Sequence, residues 1–399
     1  MSHNNRSSKA FGLIFAVAIS LALIGNIVYN GTRSLVASFR PDTEDVLRND
    51  AQMKKNQSLQ ERFDDSLFFN KSAREALNSV RNLQGGDFTF VDGVNDIYRD
   101  DTGRMTYICR YRNMRQEADA LSGFSEKLED AGIPLLYVQI PFKILRGEDS
   151  LHYRIRDYSN DNADRLLTDV SQKGVDTFDL RDVLKEPDRA VAPLFFQTDS
   201  RWRVNTSFDA YLSVLTLMDH QYHLCRDTAK HFGSRENFTV TQTEPCFIGD
   251  QGRLAVRPKN AQMDTFDYIK PYSRTSFKLK TVRTDGTLTA RSGDYSAALM
   301  APEQKGYDNL FDSYLGAPAP LISMHNELVK TGEKLVILGD DFINPFASFT
   351  ALNFTDTIVV NPALFRGSIQ KLIDEQKPDL VLVMYQPKSF ENPKYFQFR

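Results

Sequence analysis

Sulfur, imidazole and indole groups are scarce in this 399-residue chain, which has three cysteines, six histidines and one tryptophan. Cys109, Cys225 and Cys246 fit neither a CxxC motif nor a zinc-binding spacing, which argues against a metal site built on sulfur. In an oxidising compartment Cys225 and Cys246 could form a local disulfide, although three unpaired core cysteines fit equally well. His220 and His223 have no evident third ligand, so we expect no metal and no other cofactor.

An excess of positive charge is also missing. The formal net charge is -3 and no basic patch is present, which argues against a nucleic-acid partner because phosphate binding needs a concentrated basic surface. Tandem repeats and low-complexity tracts are absent as well. With 41% hydrophobic and 25% charged residues, most of the chain has the composition of a folded globular protein.

One long hydrophobic run stands near the N-terminus. Residues 11–29 carry no charge, and about 20 apolar residues in a helix span a bilayer. The run is longer than the roughly 7–15 apolar residues of a cleaved signal peptide, so we predict an uncleaved transmembrane signal-anchor over residues 11–30, with cleavage after 35–37 as the alternative. Residues 1–10 would be a cytoplasmic tail and 31–85 a stalk with a lead-in helix. The flanking basic residues are balanced and leave the orientation open.

The remainder alternates between strand and helix patterns. A hairpin is predicted at 93–107. Strands are predicted at 134–140, 175–180, 335–338, 357–360 and 379–385, and helices at 162–172, 205–218, 344–352 and 367–375. This alternation predicts an α/β fold with a mainly parallel sheet covered by helices. Short β-like pieces interrupt it, so we interpret 226–298 as a β-rich insertion between two parts of one domain, 86–225 and 299–399.

Three segments are predicted near the carboxyl ends of the parallel strands, where ligands gather in such sheets. They are residues 141–143, 198–202 and 339–342. Asp341 holds the third position of a sharp strand-to-helix turn, where many hydrolases carry a nucleophilic serine; alternatively, Asp340 and Asp341 only cap the next helix. Trp202 either stacks on a sugar or lies in the core, with Asp199 as a helix cap.

Together these segments resemble the DHHW proteins, relatives of the AlgX/AlgJ group of SGNH-like polysaccharide O-acetyltransferases. The resemblance is carried by Ile140-Pro-Phe-Lys143, Phe196-Gln-Thr-Asp-Ser-Arg-Trp202 and Gly339-Asp-Asp-Phe342, and extends through 61–69, 266–271, 309–322, 365–369 and 377–385. It implies a three-layer α/β/α fold and a role in cell-envelope polysaccharide O-acetylation, often beside a membrane-bound O-acyltransferase. It also implies that the anchor holds the folded bulk outside the cytoplasmic membrane, in the periplasm or at the cell surface.

The chain departs from the family pattern at the groups that carry the chemistry. The Asp-His-His-Trp motif falls on Asp199, Ser200, Arg201 and Trp202, and the serine of Gly-Asp-Ser-Phe falls on Asp341. In the family the serine is acylated, a histidine of the motif is its base and the aspartate orients that histidine. A guanidinium cannot take up a proton at neutral pH, so Arg201 cannot replace the base. We expect it to form a charge pair with Asp199 or Asp341.

Three functional hypotheses follow. In the first, the chain is a catalytically degenerate relative that binds a polysaccharide or scaffolds the acyltransferase, with Lys143, Arg201 and Trp202 as the substrate-binding candidates. In the second, it is an active acyltransferase or esterase that uses Asp199, Asp340 or Asp341. In the third, the same carboxylates hold a metal ion in a hydrolase.

Overall fold

The computed structural model describes residues 87–89, 97–100, 103–146, 151, 155–184, 194–254, 263–300 and 309–398. All of them belong to the compact unit Gly86–Arg399. The predicted signal-anchor, the stalk and the lead-in helix lie outside the described residues. Within those residues, no helix combines the length and the apolar character needed to cross a bilayer.

Thirteen strands fall within the described residues. In chain order they are β1 Asp87–Thr89, β2 Ile97–Arg99, β3 Met105–Tyr107, β4 Leu135–Gln139, β5 Asp176–Asp179, β6 Phe238–Gln242, β7 Asp267–Pro271, β8 Phe277–Val282, β9 Leu288–Gly293, β10 Leu321–Asn326, β11 Lys334–Gly339, β12 Asp356–Val360 and β13 Leu380–Tyr385. Eight form the main sheet in the order β5-β4-β13-β11-β12-β10-β8-β9. β1 to β3 form a small antiparallel sheet, and β6 pairs with β7.

The helices in the same part of the chain are α1 Arg115–Asp130, α2 Ser159–Gln172, α3 Leu180–Val183, α4 Val204–Tyr222, α5 Arg226–Phe232, α6 Asp250–Leu254, α7 Tyr295–Leu299, α8 Asn344–Thr350 and α9 Ile369–Gln376. Short 3-10 turns include Leu310–Ser313, Asp341–Ile343 and Pro387–Glu391. The predicted helices and strands of the first and last parts are therefore present, with ends that differ by a few residues.

The central strands are buried on both faces, which explains their continuous apolar sequences. Along β11, Leu335 and Ile337 join one hydrophobic cluster while Val336 and Leu338 join another on the opposite face. The first cluster includes buried residues of α4 and α8, and the second includes those of α1, α2 and α9. Helices thus cover both faces, as in the predicted three-layer arrangement.

Helix α4 shows how one layer is assembled. Its buried residues include Phe208, Tyr211, Leu215 and Met218, whose spacing of three or four places them on one face of the helix. Phe208 meets Phe349 of α8 edge to face, with ring centroids 5.0 Å apart. The helix begins directly after Arg203, so this packing also fixes the loop that precedes it.

The sheet is mixed, in contrast to the mainly parallel sheet that was predicted. The five strands β5, β4, β13, β11 and β12 are parallel, and β10, β8 and β9 extend them in antiparallel pairs. The interpretation of 226–298 as a separate β-rich insertion was therefore only partly right. β6 and β7 form their own pair, but β8 and β9 complete the main sheet. The segment also contains α5, which the sequence pattern did not reveal.

The hairpin predicted at 93–107 is present as the antiparallel pair of β2 and β3. The three cysteines are unpaired: Cys109 and Cys225 are buried and Cys246 is exposed. The alternative with a disulfide between Cys225 and Cys246 is therefore wrong for this structure.

Candidate functional site

The three predicted segments meet at the carboxyl ends of the parallel strands. β4 leads into Lys143, β11 leads into Asp340 and Asp341, and the loop before α4 carries Asp199 and Arg201. The turn after β11 favours a glycine, because a Cβ on Gly339 would crowd the Ile343 side chain and lie 3.2 Å from the backbone carbonyl oxygen of Met384. The convergence predicted from strand order is thus confirmed by the contacts described below.

Arg201 and Asp199 form a buried two-point ion pair. Nε of Arg201 lies 2.6 Å from Oδ1 of Asp199, and Nη2 lies 2.7 Å from Oδ2. The side chains are 3% and 0% exposed, so the pair is shielded from water. Burial alone would raise the pKa of Asp199, but the guanidinium and backbone N–H donors lower it below its ordinary value. Asp199 is therefore held as a carboxylate whose oxygens are already occupied.

The same guanidinium also contacts side chains that are more exposed than Asp199. Its Nη1 lies 3.5 Å from Oδ2 of Asp341 and 4.0 Å from Oδ1 of Asp312, and Nη2 donates to Oδ1 of Asn309 at 2.9 Å. The ring of Phe311 lies 4.2 Å from the guanidinium carbon. Although burial would lower the pKa of Arg201, the surrounding carboxylates raise it further above its usual range. Arg201 remains a cation and cannot act as a base.

Asp341 is the accessible carboxylate of this group. Its side chain is 34% exposed, compared with 20% for Asp312. Burial raises the pKa of Asp312 to about 6; Arg201 opposes this rise, while Asp341 and Asp199 add to it. The buried Arg201 cation therefore lies beside two partly exposed acidic side chains, Asp341 and Asp312.

Two aspartates that the sequence analysis did not single out support the Asp199 loop. Asp250 accepts from the backbone N–H and the hydroxyl of Ser200 at 2.8 Å each, and its own N–H donates to Oδ2 of Asp199. Asp264 accepts from the backbone N–H groups of Gln197 and Thr198. The one signal near Asp250 is the preceding glycine: a Cβ on Gly249 would lie 2.1 Å from Cβ of Asp199.

Lys143 is buried against the loop that carries Asp199. Its Nζ donates to the carbonyl oxygens of Gln197 at 3.0 Å and Asp199 at 2.8 Å, and to Oε1 of Gln251 at 3.1 Å. Only 1% of the residue is exposed. Burial lowers the pKa of Lys143 to about 7, although Asp264 and Asp199 oppose that shift. In this arrangement Lys143 binds the protein's own backbone.

Trp202 is fully buried and forms part of the core. Its indole N–H donates to the carbonyl oxygen of Phe342 at 2.9 Å, and the two rings lie 5.9 Å apart. No indole face is left for a sugar, so the structure supports the core alternative. Trp202 instead ties the Asp199 loop to the turn after β11.

Asp340 and Asp341 have different roles in that turn. Asp340 is buried and accepts hydrogen bonds from the N–H of Phe342, the N–H of Gln386 and the hydroxyl of Ser389. Burial, followed by the charge of Asp341, raises its pKa to about 7. Asp340 therefore fits the capping interpretation, which leaves Asp341 as the predicted catalytic carboxylate that a ligand can reach.

The side chains around Arg201 limit the chemistry that this site can perform. Among the described residues, the hydrogen bonds and ion pairs of Asp199, Arg201 and Asp341 involve no histidine. In that same part of the chain, no three His, Cys, Asp or Glu side chains are grouped so that they could hold a metal ion. The carboxylate-based metal hydrolase thus has no supporting cluster there.

Comparison with known proteins gives the same family as the sequence motifs. The model of the SGNH hydrolase-like domain of the acetyltransferase AlgX matches residues 104–294. That range includes Asp199 and Arg201 but ends before Asp341. The match confirms the resemblance over residues 104–294. No curated protein matches the sequence.

Solved structures show the same fold at low identity. Bacillus cereus PatB1 with a sulfonyl adduct superposes with a TM-score of 0.64 and 16% identity, over 79% of this chain and 99% of that one. A DHHW family protein from Eubacterium siraeum gives a TM-score of 0.59 and 17% identity, over 78% and 97% of the two chains. The likeness thus extends beyond the range of the AlgX match and covers most of the described unit.

Proposed function

We propose that this chain, which carries an AlgX-like SGNH hydrolase-like domain related to polysaccharide acetylation, binds polysaccharide or scaffolds its acetylation without turning over an acyl ester. The observation that supports this most directly is the buried pair of Arg201 and Asp199 with Asp341 beside it. The resemblance places the base and the nucleophile at these positions. A permanent cation and a carboxylate occupy them.

The charge of the pair makes acyl transfer unfavourable. A general base must accept a proton near neutral pH, and Arg201 is held charged by its carboxylate neighbours. If Asp341 attacked an ester, an acyl anhydride would form in a site where none of the described histidines contacts Asp341 or Arg201. The arrangement is instead suited to hydrogen bonding, since Asp341 and Asp312 present acceptors to the hydroxyl groups of a sugar.

The proposal includes a location and partners. An uncharged run over residues 11–29 would anchor the protein, and the family resemblance places the folded unit on the outer side of the cytoplasmic membrane. There the cleft would meet a polysaccharide. A membrane-bound O-acyltransferase is the second expected partner, because the resemblance implies a chain of acetyl transfer across the membrane.

Hydrolysis of p-nitrophenyl acetate by the purified full-length protein tests the catalytic part of the proposal. We expect the wild type to hydrolyse it no faster than an Asp341→Ala variant. The double variant Arg201→His/Asp341→Ser restores the family pattern and is expected to gain hydrolysis above both. Wild-type turnover that disappears in Asp341→Ala would refute the degenerate interpretation.

Glycan binding tests the other part. On an array of envelope polysaccharides, the wild type should bind at least one polymer, and Asp341→Ala should weaken that binding. Lys280→Ala, on an exposed strand position away from the strand ends, is the matched control. Equal binding by wild type and Asp341→Ala would show that polysaccharide does not bind at Asp341.

The exposure of Asp341 supports a second candidate. A carboxylate that is 34% exposed can reach an acyl donor, so Asp341 could itself carry the acyl group. Hydroxylamine would cleave such an anhydride, giving either a hydroxamate at residue 341 with release of acetate, or free acetohydroxamate with recovery of Asp341. A hydroxamate at this position after incubation with the acetyl ester would favour the active enzyme over the binding protein.

A further inference from the structure

The contacts of Lys143 match a protonated amine. An ammonium group has three N–H donors, and three acceptors surround Nζ: the carbonyl oxygens of Gln197 and Asp199 and Oε1 of Gln251, all within 3.1 Å. A neutral amine has two N–H donors and one lone pair. Loss of the proton would therefore leave a lone pair directed at one of three oxygens, which is unfavourable in a site with 1% exposure.

Gln251 offers a way to accommodate the neutral amine. Its side chain is fully buried, its Oε1 accepts from Lys143, and its Nε2 has no hydrogen-bond partner among the described residues. If the amide turned by half a rotation, Nε2 would donate to the lone pair of Nζ. The contact thus has two arrangements, one suited to each protonation state of Lys143.

Both partners are connected to the loop that presents Arg201. Lys143 holds the carbonyl oxygen of Asp199, while Gln251 follows Asp250, whose N–H donates to the Asp199 carboxylate and whose own carboxylate holds Ser200. A change at Lys143 therefore reaches the loop through its backbone and through α6.

Burial, rather than the charged surroundings, brings the titration of Lys143 close to neutral pH. Burial lowers the pKa of Lys143 to about 7; Asp264, Asp199 and Asp250 work against that shift, and Arg104 adds to it. These groups come from the segment before β7, the loop before α4, the start of α6 and the β2–β3 hairpin. The hydroxyl of Tyr107, also from the hairpin, donates to Asp250, so this carboxylate is shared.

We propose that Lys143 and Gln251 form a pH-sensitive positioning contact: it fixes the backbone of residues 197–199 when Lys143 is protonated and loosens that backbone when Lys143 is neutral. The contact does not depend on whether the cleft turns over substrate or only binds it. Its consequence is that the presentation of Arg201 and Asp341 differs on the two sides of neutral pH.

The single tryptophan provides the measurement, since Trp202 lies in this loop and its N–H donates to Phe342. For the full-length protein, we expect the fluorescence of Trp202 to follow a one-proton transition centred at about pH 7. Lys143→Met should abolish the transition. Gln251→Glu should move its midpoint upward by roughly one unit or more, because a carboxylate beside Nζ stabilises the ammonium form.

Two controls exclude other titrating groups. Asp340, which binds the N–H of Phe342, also has a pKa raised to about 7, so Asp340→Asn must retain the transition. Lys280→Met removes an exposed lysine and should change nothing. All six histidines remain in each variant, so a histidine transition would persist in Lys143→Met.

The outcomes separate clearly. A transition that survives in Lys143→Met, or a midpoint that does not rise in Gln251→Glu, overturns the proposal. If Lys143→Met does not fold, NMR of the wild type labelled with 13Cε-lysine decides. One lysine signal that titrates near pH 7, and moves to higher pH in Gln251→Glu, supports the contact, and its absence refutes it.

Discussion

Replacing Arg201 by methionine should destabilise the protein more than the loss of an ordinary ion pair. The guanidinium supplies two of the hydrogen bonds to Asp199, which is fully buried, so the change leaves a carboxylate with backbone N–H donors alone. Breaking a buried pair by removing one partner costs about 3–5 kcal/mol in the free energy of unfolding. The double variant Asp199→Asn/Arg201→Met should lose much less, because no uncompensated charge remains.

The effect should also depend on pH with a defined sign. In the wild type the pKa of Asp199 is lowered, so the pair contributes stability that is present above the unfolded value of about 3.9 and is lost as pH falls through the folded pKa. In Arg201→Met, burial without the cation should raise that pKa above its ordinary value. The variant would then be most stable below the unfolded pKa and would lose stability as pH rises through the folded one.

Urea denaturation, followed by Trp202 fluorescence and by circular dichroism from pH 4 to pH 8, measures both effects. The gap in unfolding free energy between wild type and Arg201→Met should widen as pH rises. Arg203→Met is a useful control, since this neighbouring arginine lies on the same loop but makes longer ion-pair contacts with Asp264 and Asp267. A loss below about 1 kcal/mol at pH 7, or a gap that does not change with pH, would refute the reasoning.

Three further predictions follow from single contacts. Gly249→Ala should lower the free energy of unfolding by about 1–3 kcal/mol, because its Cβ would overlap Cβ of Asp199 at 2.1 Å. Gly123→Ala, where no atom lies within 4 Å of the Cβ and φ is not positive, is the control in the same urea titration. Burial raises the pKa of Asp340 to about 7, so its contribution to stability is complete below about pH 3.9 and is lost as pH rises through about 7. In Asp340→Asn the urea midpoint should therefore vary less with pH over this range. Asp341→Asn should leave the free energy of unfolding, measured by urea denaturation, within about 0.5 kcal/mol of the wild-type value because its side chain is 34% exposed, and a larger loss would show that the contact with Arg201 is structural.

The parallel half of the sheet was predictable because its strands carry a strong local signal. β11 and β13 are continuous apolar runs that end at polar turns, and such runs are typical of strands buried on both faces. Strand order along the chain then places their carboxyl ends at one edge. The segments at Lys143, Asp199 and Asp341 could for that reason be expected to meet.

The antiparallel half carried a weaker signal. β8 alternates buried and exposed residues and coincides with one of the short β-like pieces, residues 276–282, whereas β9 has no buried residue and was missed. Neither pattern shows which sheet a strand joins, because pairing is set by contacts with β10, distant in sequence. The separate insertion was a reasonable inference from local pattern that tertiary pairing overruled.

Buried charge was the least predictable part of the site. Lys143 and Trp202 have the side chains of ligand-binding residues, yet both are buried, and only the full set of neighbours reveals it. Asp250 and Asp264 follow no recognisable motif, and they contact the Asp199 loop from segments 50 and 67 residues away. Sequence pattern reports which residues can do chemistry, whereas their protonation and accessibility are set by contacts between distant segments.

Arg201 and Asp341 are best understood as one charged unit. With a serine at position 341, Arg201 would still be neutralised by Asp199, but its Nη1 would lose the acceptor that now lies 3.5 Å away. With a histidine at position 201, Asp341 would face a second carboxylate, Asp312, without the guanidinium that separates them. Each residue therefore makes the other favourable, and a catalytic serine and histidine would have to be introduced together for either to work.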